Sequence, residues 1–186
     1  MAKTQLHNYS VQEKLNKMDI DMIDIEATLS TSGAEGSVMF LHTEIPDCVA
    51  VKGGTALLHS VTAIVADNAT DTSSNGVDCL SGFRLIFTSD SSITNLALQD
   101  VLATEGTATG SGGFQATRAQ LATVNAVVAI SGAQDAGYFG LHYVSNCGAV
   151  LKAASDTTSM YVFGVSGDNT NYAGGKITLR IGVIKD

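Results

Sequence analysis

The sequence predicts a mainly β protein, an antiparallel β-sandwich or jelly-roll-like domain with an N-terminal arm or short helix. Two observations predict this fold class. Short segments in which apolar and polar residues alternate recur from residue 36 onward, and alternation with a period of two is the pattern of a half-buried strand. Clusters rich in Gly, Asn, Ser and Asp separate these segments, as turns do in all-β domains.

The composition fits one such domain. The chain has 186 residues, of which 45% are hydrophobic, so it can bury a core. Only 15% are charged, well below the usual quarter. Low charge with many Ser, Thr and Gly residues indicates broad surfaces that lie against other protein rather than against water.

Residues 1–32 form the predicted N-terminal arm, and residues 33–186 form the predicted β-sandwich domain. Ser10 and Glu13 match a capping box, which marks a helix start. An apolar stripe at helical spacing follows, consisting of Val11, Leu15, Met18, Met22, Ile25 and Leu29. From Asp19 to Glu26, however, polar and apolar residues alternate as in a strand. We therefore expect a short helix over residues 10–17 and then extended chain; an ordinary first helix of the same domain is the alternative.

The later strands are predicted from their alternation. The candidates are residues 38–42, 47–52, 57–66, 83–88, 124–130, 138–145, 160–165 and 176–183. The last is the clearest, because Ile177, Leu179, Ile181 and Val183 point one way and the residues between them are polar or glycine. Residues 124–130 are apolar on both faces, which predicts a central strand. Residues 93–102 fit a short helix or a strand equally well.

The sequence contains no motif that identifies a catalytic, cofactor-binding or metal site, so we expect a protein that is not an enzyme and that needs no cofactor. His7, His42, His59 and His142 are far apart, and we expect partly buried polar residues rather than metal ligands. Cys48, Cys79 and Cys147 are odd in number and lack C-x-x-C spacing. They are expected to be small buried or half-buried thiols in a reducing compartment.

One loop carries several oxygen ligands for a cation. They are Asp67, Asn68, Asp71, Asn75 and Asp78. An EF-hand counted from Asp67 needs an acid or amide at its third position, Gly at its sixth and Glu at its twelfth. Ala69, Thr72 and Asp78 stand there instead. We expect a solvated turn, with an irregular Ca²⁺ site as the alternative.

The net charge of −8 argues against direct binding to nucleic acid, which requires clustered Lys and Arg. The chain has no stretch of about 20 apolar residues, so we expect no membrane span. Lys3, Thr4 and Gln5 near the start are not followed by an apolar run, so we expect no secretory signal.

From about residue 57 onward the chain resembles small virion structural proteins of tailed phages, especially those of marine and cyanobacterial hosts. The resemblance lies in Leu58-His59-Ser60-Val61-Thr62-Ala63-Ile64-Val65, in Ser159-Met160-Tyr161-Val162-Phe163-Gly164, and in Ala173-Gly174-Gly175-Lys176-Ile177-Thr178-Leu179-Arg180-Ile181-Gly182-Val183. It covers about two thirds of the chain.

The resemblance implies a capsid decoration or cement protein, a β-sandwich subunit that is often trimeric. Such a subunit binds the outside of a phage capsid and stabilises it by bridging neighbouring major capsid proteins, and it is assembled in the host cytoplasm. The alternatives are another virion component, such as a tail tube, neck or fibre part, or a receptor- or carbohydrate-binding β module. The chain has no Trp and only five Tyr residues, which weakens the receptor- or carbohydrate-binding alternative.

Overall fold

The structure, a computed structural model, describes residues 19–29, 32–33, 37–66, 82–91, 122–130, 134–135, 139–167, 170–171 and 175–185. Within these ranges the chain forms eleven β-strands and no helix. The strands are β1 Asp21–Thr28, β2 Ser32–Gly33, β3 Val38–Ile45, β4 Thr55–Ala66, β5 Phe83–Thr88, β6 Val124–Ile130, β7 Gln134–Asp135, β8 Phe139–Lys152, β9 Met160–Ser166, β10 Thr170–Asn171 and β11 Lys176–Lys185.

Eight of the strands are long and form two antiparallel sheets. One sheet has the order β1-β11-β4-β8, with the short β7 at its end, and the other has the order β3-β9-β5-β6. The short strands β2 and β10 pair separately. Residues of both sheets share one buried hydrophobic cluster, so the sheets form a sandwich. The predicted fold class is confirmed.

The strand order is that of a jelly roll. Among the eight long strands, the first pairs with the eighth, the second with the seventh, the third with the sixth and the fourth with the fifth. This is the order obtained when one long antiparallel hairpin is folded across itself into two layers. Jelly rolls of this kind occur in viral capsid proteins, lectins and cupins.

Alternating side chains direct one face of β11 and of β5 into the core. On β11, Ile177, Leu179, Ile181 and Val183 are fully buried, as the sequence predicts, while Lys176 and Arg180 are exposed. On β5, Phe83, Leu85 and Phe87 point into the same core. Each such side chain contributes about 1.5–3 kcal/mol by leaving water, and their mutual packing holds the two layers together.

A bulge on β4 changes which residues face inward. Leu58 and Val61 are both fully buried, although they are three residues apart. The pairing with β11 skips His59, because Ser60 lies opposite Gly182 and Leu58 lies opposite Val183. The pairing with β8 shifts at the same place, near Gly148, whose φ is 65°. The extra residue shifts the inward-facing positions of β4 by one. A strict two-residue repeat read from the sequence therefore does not predict them.

Residues 21–28, which were placed in the predicted arm as extended chain, are extended but belong to the sandwich. This segment is β1, an end strand of the five-stranded sheet that pairs along its whole length with β11. Ile25 and Ala27 are buried while Met22 and Asp24 are exposed, so the strand alternation was the decisive pattern and the helical stripe was not. The domain therefore begins at least twelve residues before the predicted boundary at 33. The predicted helix over residues 10–17 lies outside the described residues.

The predicted strand over residues 47–52 is wrong. These residues form a turn between β3 and β4, entered through Asp47, whose φ of 47° is incompatible with an extended strand. The Thr158 hydroxyl donates to Asp47 Oδ1 over 3.0 Å, and Val49 N donates to the Thr158 carbonyl over 3.1 Å. Cys48 and Val49 are nevertheless buried, which produced the strand-like apolar pattern.

Two strand predictions are corrected in position or length. β6 is the last strand of the described four-stranded sheet rather than a central one, and its Val127 is exposed to solvent. β8 continues to Lys152, seven residues past the predicted end, because the irregularity near Gly148 lets the strand resume in a new register.

The segments 67–78, 93–102 and 104–113 and the residues His7 and Cys79 lie outside the described part of the chain. Within the described ranges no helix could cross a membrane.

Candidate protein-contact surface

The described residues bring no three His, Cys, Asp or Glu side chains close enough to hold a metal ion. The sequence predicted no catalytic, cofactor-binding or metal-ligating residue, and the histidines that the structure places are on different strands. His42 lies on β3 and His59 on β4, and both are half-buried. His142 lies on β8.

His42 is a half-buried histidine of the four-stranded sheet. Its ring lies against Phe163 with the ring centres 4.9 Å apart, and its Nε2 is buried with no hydrogen-bond partner among the described residues. Burial lowers the pKa of His42, and the negative charge of Asp90 acts in the opposite direction. A neutral imidazole packed on an aromatic ring is a structural element rather than a site.

The two described cysteines are free thiols. Cys48 is buried and Cys147 is half-buried, as the sequence predicts. Burial raises the pKa of Cys48 to about 11, with the charge of Lys185 acting in the opposite direction, and burial also raises the pKa of Cys147. Both side chains therefore stay protonated near neutral pH and are poor nucleophiles.

The outer face of the five-stranded sheet carries an exposed apolar band. We use this name for Ile20, Met22, Leu57, Val150 and Ile184. The register places Ile184 opposite Leu57, and Leu57 opposite Val150. Continuing the β1–β11 register by one residue places Ile20 opposite Ile184. One apolar row thus crosses four strands, with Met22 in the next row.

The exposure of the band is high for apolar side chains. Ile20 is 42% exposed, Met22 51% and Val150 60%, and Leu57 and Ile184 are half-buried. These are three of the six large exposed hydrophobic residues in the described ranges; the others are Leu41, Val51 and Val127. Single exposed apolar residues are ordinary, whereas a contiguous row indicates a contact surface for another molecule.

Gly182 forms the floor of the band. A β carbon added at this position would lie 3.2 Å from Ile20 Cγ2 and 3.2 Å from Met22 Sδ. Both side chains therefore lie flat over the glycine rather than standing away from the sheet. The result is a low apolar surface with the Ser60 hydroxyl beside it.

Beyond the band, the same face is lined by ion pairs between β1 and β11. Arg180 donates to Asp24 through two bonds, Nε to Oδ1 at 2.9 Å and Nη2 to Oδ2 at 3.0 Å. Lys176 Nζ pairs with Glu26 on the same face. A third pair, Lys185 Nζ with Asp21 Oδ2 at 2.8 Å, lies at the other end of the two strands, on the side toward which Ile25, Ala27 and Val183 point. The hydrogen bonds from Arg180 lower the pKa of Asp24 below its ordinary value.

The charges of this sheet cancel. Its five strands together carry four acids, Asp21, Asp24, Glu26 and Asp135, and four bases, Lys152, Lys176, Arg180 and Lys185. The other 14 acids and 6 bases, and so the whole net charge of −8, lie elsewhere in the chain. The apolar band is therefore set in an electrically neutral part of an acidic protein.

Sequence reasoning did not find this surface. One signal was available: Met22 has the same parity as Asp24 and Glu26, so in a strand it must share their solvent-facing side. No signal existed for Val150 or Leu57, because the bulge at His59 and the irregularity near Gly148 decide which face those residues occupy.

Comparisons with known proteins add little. No protein-family model matches the sequence, and no curated protein matches it. Among solved structures, the chain is similar to one titled Desmodium yellow mottle tymovirus, with 11% identity over 89% of this chain and 85% of that chain. The TM-score is 0.27, so this similarity supports no inference about function.

Proposed function

We propose that the protein is a structural virion protein that binds the outside of a phage capsid and stabilises it by bridging neighbouring major capsid subunits. The observation that carries the proposal is a jelly-roll sandwich with a contiguous apolar band on the outer face of one sheet. A domain built this way exposes a surface that another protein covers.

The fold and the composition support the same function. The jelly roll is a common architecture of viral shells, although lectins and cupins share it, so the fold alone does not select the function. The chain has few charged residues, and β4 and β6 carry no Asp, Glu, Lys or Arg. Sparse charge on strand surfaces suits a protein that spends its functional life packed against others.

The mechanism follows from multivalency. A subunit that contacts two capsid proteins at once makes its second contact within one complex, at a high effective concentration. A modest interface on each side then gives firm attachment, and separating two capsid subunits requires breaking both contacts. In this proposal the protein has no enzymatic activity, its partners are the major capsid protein and further copies of itself, and it acts on the capsid exterior.

Reconstitution tests the proposal. Purified protein is mixed with capsid shells that lack it, the shells are sedimented, and bound protein is quantified against shells already saturated with it. We expect saturable binding and an increase in the temperature at which the shells rupture. Absence of binding to the unsaturated shells would remove the capsid assignment.

The shared jelly-roll fold of lectins makes glycan recognition the second candidate. A glycan array probed with the same purified protein separates the two. Saturable binding to one class of sugar together with failure to bind shells would favour the second candidate.

A further inference from the structure

We infer that the apolar band is the contact surface for a second copy of this chain, packed face to face about a two-fold axis. The inference rests on the proposal that the band is a contact between virion subunits. It names a second copy as the partner at the band, and capsid proteins then contact other surfaces of the dimer. It is carried by the composition of the band, by the charge around it and by the size of the sheet.

The distribution of charge favours a second copy of this chain as the partner. Two copies with a net charge of −8 repel each other over most of their surfaces. On this face Asp24 and Glu26 pair with Arg180 and Lys176, and Lys152 on β8 adds one positive charge, so two copies meet here with far less repulsion than elsewhere on their surfaces. The acids Asp21, Asp24 and Glu26 are already paired within the same chain and do not require a basic partner.

The symmetry follows from the band being a single surface. A three-fold ring needs two different complementary surfaces on each subunit, whereas a two-fold contact uses the same surface twice. In the described ranges the apolar row crosses all four long strands of one sheet, from Ile20 through Ile184 and Leu57 to Val150. Such a row complements itself when a second sheet is laid over it.

The sheet is large enough for a stable dimer. Four strands about 4.8 Å apart, with β11 spanning about 33 Å, give a face of roughly 600 Å² in projection. A standard interface buries about 800 Å² of accessible surface on each partner. Because accessible area exceeds projected area, most of this face must take part, with the Asp24–Arg180 and Glu26–Lys176 pairs at the rim.

The experiment measures the mass of the full-length protein in solution. Sedimentation equilibrium is run on the unmodified protein and on two band variants, Met22→Glu and Val150→Glu. The matched control is Leu41→Glu, which adds the same charge at a position that is 43% exposed on β3, in the other sheet. Circular dichroism and thermal melting establish that each variant is folded.

We expect the unmodified protein and Leu41→Glu to have the mass of two protomers. Each band variant should weaken the dimer by at least about tenfold in Kd, because a carboxylate is buried without a partner. A monomeric unmodified protein, a dimer that both folded band variants leave intact, equal weakening by Leu41→Glu, or a stoichiometry other than two would each overturn the inference.

The same proteins distinguish this inference from the proposed function. A folded monomer that still binds shells would overturn the two-fold contact and leave the capsid proposal standing. A dimer that the band variants dissociate, but that binds no shells, would support the two-fold contact and overturn the capsid proposal.

Discussion

Gly182 on β11 and Ser60 on β4 lie opposite each other with no room for a side chain at position 182. A β carbon added to Gly182 would lie 2.5 Å from Ser60 Oγ. We predict that Gly182→Ala lowers the free energy of unfolding by about 1–3 kcal/mol, the usual range for overpacking a close contact. Urea unfolding followed by circular dichroism measures the change.

The Ser60→Ala variant supplies the control for this prediction. It removes the oxygen that the new methyl group meets, so the double variant should recover part of the loss, and the two substitutions should not be additive. Strict additivity would show that the glycine is needed for another reason, such as the positions of Ile20 and Met22.

The Asp24–Arg180 pair predicts a measurable titration. Because the guanidinium donates two hydrogen bonds to the carboxylate, the pKa of Asp24 lies below its ordinary value. Carboxyl-carbon NMR should place the Asp24 midpoint below that of a free aspartate, near 3.9, and Arg180→Met should raise it toward that value. The matched control is Lys176→Met, which removes a neighbouring cation but leaves both Arg180 bonds in place.

The sign of the pH dependence follows from the same pair. A carboxyl group with a lowered folded pKa contributes stability that is fully present above its unfolded pKa and is lost as the pH falls through the folded pKa. In the unmodified protein, unfolding should therefore become easier below about pH 4. An Asp24 midpoint unchanged by Arg180→Met would contradict the assignment of the shift to these hydrogen bonds.

His42 predicts a second loss of stability at milder acidity. Its pKa is lowered by burial, so the unfolded state takes up a proton first, near pH 6.5. The contribution of His42 to stability is fully present above that pH and falls as the pH drops through the folded pKa. His42→Gln, which stays neutral, should reduce the difference in urea midpoint between about pH 7.5 and pH 5.

The matched control for His42 is His59→Gln. His59 is also a half-buried histidine with a buried nitrogen, Nδ1, that has no partner among the described residues. If His59→Gln removed the dependence and His42→Gln left it unchanged, the cause would lie on β4 rather than at the contact between His42 and Phe163.

The two described thiols should differ in reactivity. Cys48 is fully buried with a pKa of about 11, whereas Cys147 is half-buried. Because only the thiolate reacts and access is required, alkylation by iodoacetamide should label Cys147 before Cys48. Peptide mass spectrometry over time measures both rates. Labelling of Cys48 at the rate seen in urea would show that the loop before β4 opens freely.

Much of the fold could be predicted from the sequence because β1, β6 and most of β11 alternate clearly and turn-rich segments separate the strands. β5 and β6 have the predicted bounds, and the inward-facing set on β11 is as predicted. The contact surface could not be predicted, because it depends on pairing between distant strands. Ile184, Leu57 and Val150 lie in one row only through the β11–β4–β8 register, and that register contains two irregularities.

The errors have the same physical origin. Residues 47–52 form a turn that contains buried apolar side chains, and these side chains gave the segment the apolar pattern of a strand. On β6 both faces are apolar, yet the strand lies at the end of its sheet and Val127 faces solvent. The spacing of apolar residues indicates which side chains are buried. It does not indicate which backbone segments form hydrogen bonds with a neighbouring strand.

The position of β11 between β1 and β4 determines when this protein can fold during its synthesis. Glu26 and Lys176 are 150 residues apart in the chain and adjacent in the sheet. At about 5–20 residues per second, a ribosome needs roughly 8 to 30 s to make the intervening chain. Throughout that time β1 has no neighbour to pair with. The newly made protein therefore reaches its final structure only after β11 has been made, and a chain truncated before residue 176 would leave β1 unpaired and one edge of β4 open to aggregation.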